Sequence, residues 1–202
     1  MNEKFFDLKK EKQDRMINAA LKIFALNGYA HASTDDIVKE AGISKGLLFH
    51  YFTNKIGLYA FLYDFSARFV ELEMTSTVDR GDNDYFSIHI MLKNAETNVM
   101  KAYPYMVAFL NSCENEDVIE ALNEISTKKR IVPDCVDDFF RRANTLMLKH
   151  DVDQSKLTEL INYTSICVMN KTLKYDSDHP DVYFKQMKEY LIMLRNACYT
   201  DK

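Results

Sequence analysis

The sequence predicts an all-α fold. Apolar residues recur at intervals of three and four along most of the chain, Gly and Pro are scarce at five and three, and no Gly follows Gly81. A β fold with many turns needs more punctuation than this. The 202 residues, 47% hydrophobic and 28% charged, suffice for a sizeable core without disulfides or metals. They are expected to divide into an N-terminal three-helix helix-turn-helix domain at 1–54 and a C-terminal helical domain at 55–202, joined by a long helix.

Residues 1–8 are expected to form an arm carrying Lys4, with Lys9, Lys10 and Lys12 at the start of the first helix. Such a start is either a solvated terminus or an arm that touches phosphates or the minor groove. The first helix runs to about Asn27, with Ile17, Ala20, Leu21, Phe24 and Ala25 at helical spacing, and closes at Asn27-Gly28. Ser33 caps a second helix from Thr34, and Asp36, three residues on, completes a capping box. Gly42 sits where a left-handed residue ends that helix, and Ile43 plugs the corner. Ser44 caps a third helix, Lys45 to Phe52. There Leu48 and Phe52, four apart, face inward and leave Lys45, Leu47, His50 and Tyr51 to project. Two short capped helices around a tight turn make a helix-turn-helix whose second member can lie in the major groove of DNA.

After Thr53-Asn54 a long helix is expected from Lys55 to about Thr77, on a stripe of Leu58, Phe61, Leu62, Phe65, Phe69 and Leu72. It is too long for a three-helix head, so its second half enters the next domain. Asp79 to Asp84 reads as a loop. Further helices are expected at about 84–102, 104–113, 116–130, 133–150, 155–175 and 180–199, with Pro104, Pro133 and Pro180 at starts, where the missing amide costs nothing. The last two helices are apolar beyond one stripe. That suggests a surface buried between two copies of the chain, with Leu160, Val168, Met187, Leu191 and Leu194 as interface residues. Packing within one chain is the plainer alternative.

The formal net charge is −4, with nine Lys/Arg against seven Asp/Glu in residues 1–60, so the small basic excess lies with the helix-turn-helix. Cys113, Cys135, Cys167 and Cys198 have no CxxC spacing and read as buried free thiols of a reducing compartment. His31, His89, His150 and His179 show no ligand spacing and are expected at the surface or as capping groups. The N-terminus has no apolar signal region and no uncharged run approaches the ~18 residues of a bilayer span, so a cytoplasmic protein with no membrane partner is expected. GxSxG, P-loop, HExxH and useful Cys–His pairings are absent from the sequence, which leaves an enzyme without support and implies no cofactor and no metal.

The order Asn27-Gly28, Ser33-Thr34, Ala41-Gly42-Ile43-Ser44-Lys45-Gly46, Leu48-Phe49-His50-Tyr51-Phe52 and Lys55 resembles the DNA-binding domain of TetR-family transcriptional regulators, over about residues 10–60. The family pattern, roughly T-x-x-x-I-A-x-x-A-G-V-S-x-G-x-L-Y-x-Y-F-x-x-K-E-x-L, is far more specific than a bare helix-turn-helix. Ser33, Val38 and Phe49 replace Thr, Ala and Tyr and preserve size or chemistry, while Ile56-Gly57 replace the acidic residues after Lys55. The resemblance implies that Ser33, Thr34, Tyr51 and Lys55 hold phosphates and that Ser44, Lys45, Leu47 and His50 face the major groove, with Gly46 permitting close approach. Hydroxyls and Lys suit phosphates, and exposed side chains of a recognition helix suit base edges.

The resemblance further implies a homodimer on a double-stranded, pseudopalindromic DNA operator, acting as a repressor released by a small, largely apolar or amphipathic effector. Phe65, Phe69, Met91, Tyr105, Phe109, Phe140, Met147 and Tyr163 are candidate ligand-binding residues, mixing aromatic walls with phenolic hydroxyls. A DNA-binding factor of the same fold, controlled by a protein partner, is the alternative.

Overall fold

The computed structural model describes residues 3–200, the side chain of Glu3 excepted. Among these residues there are ten α-helices and no strand, only two isolated bridges. The fold is all-α, as predicted. The helices are α1 (Lys10–His31), α2 (Thr34–Ala41), α3 (Lys45–Phe52), α4 (Lys55–Thr77), α5 (Tyr85–Ala102), α6 (Met106–Glu114), α7 (Ile119–Ile125), α8 (Ile131–Phe140), α9 (Gln154–Tyr175) and α10 (Asp181–Cys198), with 3-10 turns at Glu3–Phe5 and Ser126–Lys128. No helix among the described residues is long and apolar enough to cross a membrane. By contact the chain forms two compact units, Met1–Phe69 with Tyr103–Ile131, and Val70–Ala102 with Val132–Lys202. This grouping by packing is distinct from the functional division drawn between residues 54 and 55.

In the first unit α1 packs on α2 and α6. Phe24, Tyr29, Tyr59 and Phe109 form a ring cluster with centroids 5.1–6.3 Å apart. Burying one such ring contributes about 1.5–3 kcal/mol, and edge-on pairing adds about 0.5–1.5 kcal/mol. The Asn27-Gly28 signal marks a real break: Gly28 has φ +66° and ψ 176°, after which one more turn continues to His31. The Tyr29 amide beyond the break donates to Glu116 Oε2 at 2.9 Å.

Residues 1 and 2 of the arm lie outside the described residues; the rest is anchored through Phe5, while Lys4, Phe6 and Asp7 are exposed. Phe5 is fully buried, its ring centroid 5.0–5.7 Å from those of Tyr51, Phe52 and Phe61. Gln13 Nε2 donates to the Phe6 and Leu8 carbonyls and ties the arm to α1.

At the start of α4, Asn54 Oδ1 accepts from the Gly57 amide at 2.9 Å. A Cβ on Gly57 would stand 2.6 Å from the Phe52 carbonyl oxygen. That close approach accounts for glycine where the family pattern has room for larger residues. The buried side of α4 includes Leu58, Tyr59, Leu62, Tyr63, Ala67, Val70 and Met74, whereas Leu72, expected in the stripe, is 69% exposed.

In the second unit α10 packs on α5 and α9. Tyr85 and Phe86 of α5, Leu157 and Ile161 of α9, Leu191 of α10 and Tyr199 make its core. Beside it runs a buried polar chain. Lys93 Nζ donates to Glu96 Oε1 at 2.7 Å and to Ser165 Oγ at 3.1 Å, Ser165 Oγ and the Tyr183 hydroxyl are 2.7 Å apart, and Tyr183 donates to Glu96 Oε2. Burial and then Glu96 hold the Tyr183 hydroxyl well above its ordinary pKa, so it stays a donor.

The helix expected over 133–150 stops at Phe140, with Pro133 in its first turn. Beyond it the backbone pairs elsewhere: the Asn144 amide with the Asn83 carbonyl at 2.7 Å and the Lys149 amide with the Cys198 carbonyl at 2.9 Å. The helix expected over 116–130 shortens to α7 and a 3-10 turn. Cys113 is buried and accepts from the Tyr59 hydroxyl at 3.1 Å, but Cys135 and Cys198 are half-buried and Cys167 is exposed, so only one thiol matches the buried expectation.

Candidate nucleic-acid interface

The ends of α2 and α3 are fixed by their own residues. Ser33 Oγ accepts from the Asp35 and Asp36 amides at 3.2 and 3.5 Å, while both carboxylates complement the positive end of α2. Gly42, at φ +63° and ψ +42°, lets its own amide and that of Ile43 return to the Lys39 and Val38 carbonyls. Ser44 Oγ then accepts from the Leu47 amide at 3.2 Å and starts α3. Ile37, Ala41, Leu48 and Phe52 are buried, and that sets which side of α3 faces outward. Lys22 Nζ meets Glu40 Oε1 at 2.7 Å and ties α1 to α2.

The outward side carries Ser44, Lys45, Gly46 and His50, all exposed, with Leu47 half-buried. A Cβ on Gly46 would meet nothing within 4 Å, so the surface is open there. Ser33 and Thr34 are half-buried at the start of α2. Lys45 Nζ lies 2.9 and 3.1 Å from the two carboxylate oxygens of Asp35. Asp35 is absent from the sequence-predicted set because its partner lies across the turn, where no helical spacing signals it.

Two candidates sit differently from expectation. Tyr51 is 8% exposed, with its ring edge-on to Phe5, because the arm covers that side of α3. Lys55 is half-buried, its Nζ 4.5 Å from the Tyr29 ring centroid and donating to the Ala30 carbonyl at 3.4 Å. Burial lowers its pKa, with Glu116 and Glu120 opposing. The surface as a whole offers hydroxyl and ammonium donors and one aliphatic side chain on a helix that fits the major groove.

The eight candidate ligand-binding residues fall in both units. In the first, Phe65 and Phe69 stand edge-on to Tyr103 at 5.5 and 5.2 Å, Phe109 is fully buried in the ring cluster, and Tyr105 is half-buried. In the second, Phe140 packs on Tyr85, Met147 lies against the same core, and Met91 Sδ accepts from the Asp79 amide at 3.3 Å. Tyr163 is 63% exposed and donates to Glu159 Oε1 at 2.8 Å, so it walls no interior site. His89, expected at the surface, is 3% exposed, with its ring 4.5 Å from that of Phe140 and its Nε2 without a partner. Burial, then the Lys93 charge, pushes its pKa down to about 3, so the imidazole is neutral.

Among the interface candidates, Met187 and Leu191 are 1% exposed and face the chain's own core, whereas Val168, 7% exposed, also lines the groove between α9 and α10. Leu160 is 50% exposed and Leu194 half-buried. The open apolar face of α9 and α10 is formed by Leu160, Tyr163, Cys167, Tyr190, Met193 and Leu194, around a groove of about 500 Å³.

The sequence model of the bacterial regulatory proteins of the tetR family matches residues 16–60, from the inner face of α1 to the first turns of α4. Residues 16–60 therefore carry a TetR-type DNA-binding domain. Among relatives, the HTH-type transcriptional regulator YuxN of Bacillus subtilis (strain 168) is 47% identical over 49 residues, 24% of this chain and 17% of that protein. The HTH-type transcriptional regulator TtgW of Pseudomonas putida is 32% identical over 72 residues, 36% of this chain and 52% of TtgW. The matched stretches thus span about half or less of these relatives. A TetR-family regulator from Chloroflexus aurantiacus J-10-FL shares the fold over 99% of both chains, with a TM-score of 0.65 and 19% identity.

Proposed function

We propose that this chain is a sequence-specific transcriptional repressor of the TetR family, which binds a pseudopalindromic double-stranded operator as a homodimer and is released by a small, largely apolar or amphipathic effector. The observation that carries this is the outward surface of exposed Ser44, Lys45, Gly46 and His50 and half-buried Leu47 on a helix fixed by its cap and its buried side. Residues 1–54 act as the reading head and 55–202 hold effector and partner subunit. Lys45 donates to guanine, Leu47 packs on a thymine methyl, and Ser33, Thr34, Lys55 and the Tyr51 hydroxyl hold phosphates.

The open apolar face of α9 and α10 supports pairing of two copies. The unpartnered His89 Nε2 beside Phe140 supports an effector site in the second unit with one polar anchor against aromatic walls. A coupling of about 1–3 kcal/mol between effector and operator changes affinity ~5–150-fold.

Selection of bound DNA from a random pool tests the central part. Two related half-sites ~34–36 Å apart are expected, and recovery of no common sequence refutes it. Compounds that stabilise the protein thermally should then weaken binding to the selected DNA. Stabilisers that never do so refute the effector part alone.

A further inference from the structure

We propose that Asp35 is a specificity-determining residue, pairing with Lys45 to form a donor–acceptor reader of a G·C base pair. This rests on the assignment of α3 as the DNA-reading helix. Lys45 is the first residue of α3 and Asp35 the second of α2, and the Gly42 turn brings Nζ to 2.9 and 3.1 Å from both carboxylate oxygens. Their side chains are 49% and 72% exposed, so the pair stands in solvent and braces no core.

Folding stability alone is a weak reason for such a pair, since exposed ion pairs contribute about 0–1 kcal/mol. A carboxylate at this edge also weakens attraction to phosphates. What it does is change the character of Lys45. A free ammonium is a point charge that accepts any phosphate, whereas one held by a carboxylate has its charge offset and its position fixed, with N–H left to donate.

The pair then presents a donor next to an acceptor. In the major groove a G·C pair offers guanine O6, an acceptor, beside the cytosine N4 amine, a donor. Lys45 donates to O6 and Asp35 accepts from N4. An A·T pair reverses this, setting adenine N6 against the ammonium and thymine O4 against the carboxylate. Both contacts are then repulsive.

The test uses full-length protein on three duplexes: the selected operator, the same operator with the preferred G·C pair changed to A·T, and a scrambled sequence. Wild type should prefer G·C over A·T by about 5–150-fold. Asp35→Ala should lose most of that preference while binding the scrambled duplex more tightly, with at most a small fall in melting temperature from the lost charge at the start of α2. Asp35→Asn, which keeps the side chain's size and an acceptor oxygen at the start of α2 but not the charge that holds Lys45, should lose part of the preference in the same direction and covers the case of a misfolded Ala variant. The inference is overturned if both Asp35 variants keep the wild-type preference, or if they weaken all three duplexes alike. It is also overturned if selection yields no G·C preference in the half-site. Loss of preference in Lys45→Ala but not in the Asp35 variants sinks this inference alone; retention in Lys45→Ala sinks the assignment of α3 as well.

Discussion

α2 and α3 are eight residues each and take their boundaries from their own ends, whereas α9 and α10, at 22 and 18 residues, take their orientation from distant partners. In the head, Ser33, Gly42 and Ser44 satisfy end groups within four residues of themselves. In the C-terminal pair, Ser165 and Tyr183 meet Lys93 and Glu96 of α5, and Met187 is buried while Met193, six residues on, is 58% exposed. Local chemistry therefore decides where the short helices begin and end, and tertiary packing decides which way the long ones face.

The difference can be broken first at the buried polar chain. Lys93→Met leaves Glu96 without its cation in the interior and should cost about 3–5 kcal/mol in denaturant unfolding. Lys93→Met with Glu96→Leu should recover much of that. A single variant as stable as wild type would show that the pair does not hold α5 to α9 and α10.

The next contrast lies along α10. Met187→Ala should cost about 2–5 kcal/mol. Met193→Glu should leave the fold intact by circular dichroism but yield monomers by light scattering, if the open apolar face pairs two copies. An unchanged dimer would move the interface elsewhere.

The smallest effect belongs to the head. Ser33→Ala should cost about 0.5–2 kcal/mol by thermal unfolding, from a lost α2 cap, and a neutral result would make that cap dispensable.

The same contrast explains what could be read in advance. α2, α3 and α4 run over the residues expected, because Ser, Gly and Asn signals act over a few residues. α8 ends early because Asn144 and Lys149 bond to Asn83 and Cys198, and no local pattern announces partners so remote. Phe5 meets Phe61 and Asp35 meets Lys45 for the same reason: the contact joins elements that only folding brings together. His89 looked like a surface residue by spacing, yet it lies among Tyr85 and Phe140, where the turn of α5 puts it. On α9 and α10 a helical period marks apolar positions, but both Met187 and Met193 satisfy it in a helix apolar beyond one stripe. Only packing against α5 tells core from open face.

In the proposed function the outward side of α3 reads DNA bases while Lys55 at the start of α4 holds the backbone. The direct measurement is affinity for the selected operator and for a scrambled duplex over a salt series, with wild type, Lys45→Ala and Lys55→Ala. Lys45→Ala should lose about 5–150-fold on the operator and little on the scrambled duplex. Lys55→Ala should weaken both alike and reduce the salt slope by about 1. The same behaviour from the two variants on both duplexes would contradict it.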